Sequence, residues 1–198
     1  MTSAFNDNDK DLMRRFSLGE ESAFQELIDK YKNGLYSFLR RFLNQNDLID
    51  DVFQETFIQL YMSRDSFDLE RPLRPWLFTI AANKARDVLR KIQRANEINV
   101  GPMADAGDVS IDDVFNSITS ENTTPYDEIE KQETQQLVQR IISEMPDNLR
   151  EILIFAYFEQ FSYKHIAEIL SIPIGTVKSR LHTAVIYFSK RWKLLNQR

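Results

Sequence analysis

The sequence predicts an all-α protein: two small helical domains joined by an acidic linker, the C-terminal one containing a helix-turn-helix. Three observations carry this. Apolar residues recur at three- and four-residue spacing through residues 1–95 and 131–198, with few turn signals between them. No run of alternating β-branched residues suggests a strand. Residues 96–130 hold nine acidic side chains and no basic ones, and they concentrate Gly, Pro, Ser, Thr and Asn. That is the composition of a tether, with at most one short helical turn near Ile111 to Phe115.

The elements follow in order. After the break at Leu18-Gly19-Glu20, a helix beginning at Glu21 or Ser22 is marked by Ala23, Phe24, Leu27, Ile28, Tyr31, Leu35, Phe38, Leu39 and Phe42. A second is marked by Leu48, Val52, Phe53, Phe57, Leu60 and Tyr61, with Asp47 as its expected N-cap. Pro72 and Pro75 limit where the third begins. Its apolar positions are Trp76, Leu77, Ile80, Ala81, Val88 and Leu89, and Trp76 is expected to anchor the core. In the second block one helix runs from Ile129 to Met145 and ends at Pro146. Asp147 is expected to cap the nearly all-apolar helix Leu149 to Phe158, and Ser162 to cap Tyr163 to Leu170. A Ser171-Ile172-Pro173 turn then leads to a long helix from about Gly175 to Leu195.

The 198 residues suffice for two modest cores. Absence of Cys excludes a disulfide scaffold, thiolate metal sites and a thiol nucleophile. No apolar run approaches the roughly 20 residues that span a bilayer, so no membrane insertion is expected. The polar N-terminus has no signal-like apolar stretch, and a cytoplasmic location is expected. The net charge of −5 argues against a nucleic-acid binder until it is divided by region. Residues 1–95 hold 15 basic and 15 acidic side chains, whereas residues 131–198 hold ten basic and six acidic. From Gln160 onward there are seven basic residues against one acid, Glu168.

The last two helices form the informative unit. Two short helices joined by a tight turn, the second basic in its first turns, describe a helix-turn-helix. Gly175 and Thr176 open the second helix, where free N–H groups and the dipole suit a phosphate. Lys178, Ser179, Arg180, His182 and Thr183 lie on the turns that reach major-groove base edges. In the first block, Asp47, Asp50, Asp51, Gln54 and Glu55 make an acidic to polar helix face. Such a face is equally a solvated helix start favoured by the dipole. Asn83, Lys84, Arg86, Asp87, Arg90 and Lys91 put polar and cationic groups on one long helix.

At this point the chain resembles the extracytoplasmic-function (ECF) sigma factors, the small promoter-recognition subunits of bacterial RNA polymerase. Four stretches carry the resemblance in the family's order: SAFQELIDKYKNGLYSFLRRF, DLIDDVFQETFIQLY, RPWLFTIAANKARDVLRK and IAEILSIPIGTVKSRLHTA. The resemblance implies that residues 1–95 form a region 2-like domain, 96–130 a flexible linker and 131–198 a region 4-like domain. It implies that Asp47, Asp50, Asp51, Gln54 and Glu55 bind the basic coiled coil of the polymerase clamp, with further contact to the polymerase flap. Asn83, Lys84, Arg86, Asp87, Arg90 and Lys91 would read and melt the −10 element. The −35 element would be read by Thr176, Lys178, Ser179, Arg180, His182 and Thr183. Core polymerase, promoter DNA and an anti-sigma regulator are the implied partners, and no cofactor, metal or catalytic residue is expected.

The loop from Ser63 to Arg71 resembles the family's capture loop for a flipped −10 base, with Phe67 as a stacking platform or a core aromatic. The acidic linker resembles the family's segment that threads polymerase channels; a plain tether fits its charge equally well. Three positions depart from the pattern. Thr183 stands where many relatives carry Arg or Lys, Ser171 where Gly is common, and Pro75 directly precedes Trp76.

Two other classes share parts of this pattern. An operator-binding helix-turn-helix regulator without polymerase explains the C-terminal block but leaves the acidic Asp47 helix and the basic helix to Arg94 without a role. A helical metal-dependent hydrolase would need more than His165, Glu168 and His182, and no nucleophile motif or phosphate loop accompanies them.

Overall fold

The computed structural model describes residues 2–43, 45–95 and 125–195, and among these all regular structure is helical. The helices are α1 (Thr2–Ser17), α2 (Glu21–Leu43), α3 (Asn46–Met62), a 3-10 turn at Arg64–Ser66, α4 (Leu73–Ala95), α5 (Pro125–Glu144), α6 (Asp147–Leu153), α7 (Tyr163–Leu170) and α8 (Ile174–Leu195). By compactness the helices divide into two units, one of α1 to α4 with residues 164–172, the other of α5, α6 and α8.

In the first unit α2 packs on α1, α3 and α4, and α3 packs on α4. The predicted periodicity is the buried stripe: Ala23, Leu27, Tyr31, Leu35, Phe38, Leu39 and Phe42 of α2 all face inward. Fully buried Phe16, Phe38, Phe42 and Phe78 supply the bulk, each worth about 1.5–3 kcal/mol relative to exposure. Helix α1 is absent from the sequence reading. Its first half is mostly polar, and among its residues of described burial Leu12, Met13 and Phe16 make a short buried apolar stripe. A tertiary contact holds it as well. Asp9 is 6% exposed and accepts hydrogen bonds from Lys30 Nζ and the Tyr31 hydroxyl, both at 2.6 Å. Burial and the neighbouring Asp9 carboxylate push the Tyr31 hydroxyl well above the ordinary tyrosine range.

Local chemistry explains the element ends. Gly19 (φ 92°) stops α1 in a left-handed conformation, with Gly19 N–H donating to Phe16 O and Glu20 N–H to Arg15 O. Hydrogen bonds from Arg15 and then Ser22 lower the Glu20 carboxyl to about 2. The expected cap at Asp47 is corrected: Gln45 is the N-cap, without a side-chain cap bond, and Asp47 sits in the first turn. A carboxylate there still meets the positive end of the dipole. Pro75 lies within the first turn of α4, where the missing N–H is no loss. Trp76 is half-buried rather than central; it packs on Phe67 with ring centroids 4.8 Å apart.

In the second unit α8 packs on α5 and α6. Helix α5 begins at Pro125, earlier than Ile129, so the segment read as linker is helical from 125 onward. The turn considered near Ile111 to Phe115 lies outside the described residues. Pro146, not Asp147, is the N-cap of α6; Asp147 is the first helical residue and accepts from Arg150 Nη2 at 2.9 Å. The Leu149 to Phe158 helix also departs from expectation, because Ile154–Phe158 is a π-helical turn. Its widened register ends at Gln160 (φ 51°), with Phe161 N–H donating to Phe155 O at 2.9 Å.

The turn after α7 is a left-handed helix stop. Ile172 N–H donates to Ala167 O at 3.0 Å and Ser171 N–H to Glu168 O at 3.3 Å, with Ser171 at φ 54°. Ser171→Gly is expected to raise stability by about 0.5–1 kcal/mol in urea unfolding, relief of the strained backbone exceeding glycine's extra unfolded entropy. An unchanged midpoint would show that the serine side chain compensates its own strain.

Candidate nucleic-acid interface

On α3 the inward positions are Ile49, Val52, Thr56, Phe57 and Leu60. Asp47, Asp50, Asp51, Gln54 and Glu55 are all exposed, because spacings of three and four residues put them on the opposite side. The structure therefore brings these five together. Asp50 is held: the Tyr36 hydroxyl donates to its carboxylate at 2.8 Å, and the Tyr36 ring lies 4.3 Å from Phe53. That hydrogen bond, with burial second, raises the Tyr36 hydroxyl above its ordinary value. Tyr36 was not singled out in the sequence, where it reads as one more turn-repeat aromatic.

On α4 the buried face is Leu77, Phe78, Ala81, Ala82 and Ala85. Asn83, Asp87, Arg90 and Lys91 are exposed, and Lys84 and Arg86 are half-buried, so all six line the outward side. Short-range contacts tether two of the cations. Arg86 donates to Asn83 Oδ1 at 2.6 Å and to Ala82 O at 3.2 Å; Arg90 meets Asp87 at 3.0 Å. Exposed pairs of this kind are worth at most about 1 kcal/mol, so a phosphate displaces them readily. Lys84 is different: its Nζ lies 3.1 Å from Glu55 Oε2, across the α3–α4 packing. Two residues read as members of separate sites are thus one ion pair, and nothing in a separation of 29 positions signals it.

The loop between these helices is shaped by Asp68, which accepts from Glu70 N–H at 2.9 Å while its carbonyl accepts from Arg71 N–H at 3.0 Å. Arg64 lies 4.8 Å from the Tyr61 ring and 5.7 Å from that of Phe16.

On α8, Val177, Leu181, Ala184, Phe188 and Ser189 are buried. Lys178, Ser179, His182 and Thr183 are exposed and Thr176 and Arg180 half-buried, so the predicted readers share the outward side of its first three turns. Among the described residues, no hydrogen bond or ion pair engages the side chains of Lys178, Arg180 or His182. Ser179 and Thr183 donate their hydroxyls to Thr176 O and Ser179 O, at 3.2 and 3.0 Å, and keep lone pairs to accept with. Helix α8 contains Lys178, Arg180, Lys190, Arg191 and Lys193 and no acid. Its far half is fixed to α5: the Tyr187 hydroxyl donates to Glu144 O at 2.9 Å, and Arg191 pairs with the Glu144 carboxylate. Burial opposes ionisation of Glu144, yet hydrogen bonds from Arg140 and Arg191 hold it below the ordinary carboxylate value.

Among the described residues no group of three or more His, Asp or Glu is placed to hold a metal ion, and no helix is long and apolar enough to cross a membrane.

Two family models match, Sigma-70 region 2 over residues 27–95 and Sigma-70 region 4 over residues 135–185. The chain is 31% identical over 173 residues to the ECF RNA polymerase sigma factor SigW of Bacillus subtilis, covering 87% of this chain and 90% of that one. It is 34% identical over 178 residues to the ECF RNA polymerase sigma-E factor of Haemophilus influenzae, with 89% and 90% covered. Two solved structures share the fold at 22% identity. CnrH in complex with the cytosolic domain of CnrY has a TM-score of 0.65 and covers 96% of this chain and 97% of that one. The sigma factor RpoE from Bartonella quintana, in complex with the anti-sigma factor NepR, has a TM-score of 0.63 and covers 88% and 98%. Region 2 and region 4 stand in order on one chain, and full-length relatives align across both. The protein belongs to the ECF sigma factors, which bind core RNA polymerase and direct promoter-specific transcription initiation.

Proposed function

We propose that residues 1–95 bind core polymerase and melt the −10 element, that residues 96–130 serve as the acidic linker, and that residues 131–198 read the −35 element. The observation that carries this division is the placement of three surfaces of distinct chemistry. An acidic row lies on α3, a cationic side on α4 and a basic, largely unpaired side on the first turns of α8. Asp47, Asp50, Asp51, Gln54 and Glu55 take the basic clamp. Asn83, Lys84, Arg86, Asp87, Arg90 and Lys91 track the opened strand, where cations follow the backbone. Thr176, Lys178, Ser179, Arg180, His182 and Thr183 enter the −35 major groove. In this reading the chain acts in the cytoplasm and contributes no catalytic group. An anti-sigma factor is a fitting regulator, supported by the sequence resemblance and by the NepR complex of the RpoE relative.

Run-off transcription with core polymerase on a promoter library, with and without the chain, tests the reading; no factor-dependent start sites would overturn it. Order of addition separates it from an operator-binding regulator, which binds DNA specifically without core. Asp51→Ala is expected to weaken core binding by roughly tenfold, as loss of a charge facing a basic partner does, while the isolated chain keeps its melting curve. Undiminished core affinity would count against the clamp assignment.

A further inference from the structure

None of residues 63–72, which join α3 to α4, is buried. A segment without a core of its own is placed by the contacts it makes with its neighbours. Towards α4, Phe67 packs on Trp76, both rings half-buried, with centroids 4.8 Å apart. Trp76, Asn83 and Arg90 recur at intervals of two helical turns, so the aromatic pair stands at the head of the stripe that carries the polar and cationic side chains of α4. Aromatic rings beside cations are the chemistry that holds an unpaired strand, with bases on the rings and backbone on the charges.

Contacts that place this segment reach back to α1. Lys10 Nζ lies 3.0 Å from Glu70 Oε2, across 60 positions of sequence. Ser17 shares its hydroxyl proton between Met13 O at 2.8 Å and Arg64 O at 3.2 Å. The Arg64 guanidinium lies 5.7 Å from the Phe16 ring. Helix α1 is a firm base for these contacts, since Leu12, Met13 and Phe16 are buried and Asp9, next to Lys10, is held by Lys30 and Tyr31. The Lys10 side chain is 26% exposed and that of Glu70 83%, so Lys10 is the anchored partner and Glu70 the guided one.

We infer that Lys10 is a positioning residue for strand opening: through its ion pair with Glu70, α1 sets the segment 63–72 and keeps Phe67 on Trp76 at the head of the α4 stripe. The inference rests on the assignment of α4 to the −10 element. Lys10 acts without touching DNA, because its ammonium group is engaged by Glu70. A segment released from α1 presents the ring pair in several arrangements, of which few receive an unstacked base. Breaking the pair therefore slows opening and leaves attachment to core polymerase as it was.

The experiment combines the full-length chain with core polymerase and follows promoter opening through a fluorescent base analogue in the −10 element. Lys10→Glu and Glu70→Lys each set two like charges against each other. Either is expected to slow opening roughly three- to tenfold, with core affinity and −35 preference unchanged. Exchanging both (Lys10→Glu with Glu70→Lys) restores the pair and should recover most of the parental rate. Glu70→Lys is the sharpest single variant, because an added cation by itself strengthens attraction to DNA. Its slower opening separates positioning from charge. Glu70 is exposed, so this variant should keep its thermal midpoint and carries the test if Lys10→Glu, beside buried Asp9, loses stability. Slowing by Asn83→Ala and Phe67→Ala, with parental opening by Glu70→Lys, overturns the inference and leaves the α4 assignment standing. A loss in Lys10→Glu that the exchange does not recover, with a reduced salt slope, makes Lys10 a phosphate contact and also overturns it. Parental opening by Asn83→Ala and Phe67→Ala alike overturns the α4 assignment, and the inference with it.

Discussion

Phe188→Ala is expected to destabilise the α5–α6–α8 unit by about 3–5 kcal/mol and to abolish −35-dependent transcription at 37 °C. Phe188 is fully buried on the face by which α8 meets α5 and α6, and it stacks on Trp192 with centroids 6.0 Å apart. Truncation leaves a ring-sized cavity that the neighbouring helices fill only in part. For a small unit this is most of the available stability. Each unit contains one of the two tryptophans, Trp76 in the first and Trp192 in the second. Trp192 fluorescence in a Trp76→Phe background therefore reports the second unit alone. Its urea midpoint should fall steeply, whereas core polymerase binding, assigned to α3, should change far less. Equal loss of both would mean that the units fold as one.

Arg180→Ala is expected to weaken −35-dependent initiation by about 1–3 kcal/mol, the range for one guanidinium reading a base edge in the major groove. Arg180 is half-buried on the outward side of α8, one turn after Thr176, and among the described residues no partner engages its side chain. In the proposed role it would enter the groove without first breaking a pair of this kind, whereas on α4 Arg90 would have to leave its ion pair with Asp87 and Arg86 its hydrogen bond to Asn83. A library of −35 sequences separates two roles. Relaxed preference at one base position assigns a base contact; equal weakening on every sequence, with a reduced salt slope, assigns a phosphate. Because Arg180 makes no pair among the described residues, its removal should leave the urea midpoint in place.

Much of this protein was legible in its sequence because the informative patterns are local. The periodicity of α2, the Ser171-Ile172-Pro173 turn and the run of basic residues on α8 each depend on residues a few positions apart. The left-handed Ser171 follows from the same turn. Features that need two distant segments were not legible. Helix α1 escapes because Asp9 looks solvated until Lys30 and Tyr31 close over it. The π turn at Ile154–Phe158 escapes because an all-apolar run has the same pattern in either helical register.

By itself the sequence determined that the chain is helical, that its charge of −5 is an average over a neutral block, an acidic segment and a basic end, and which faces carry which chemistry. Only the tertiary structure decided which of those groups are engaged. Among the described residues it paired Lys84 with Glu55 across α3 and α4, gave Arg180 no partner, and left Ile58 and Met62 exposed on α3. The reason is physical: periodicity sets which side of a helix turns outward, whereas partner and exposure depend on how neighbouring helices pack against it.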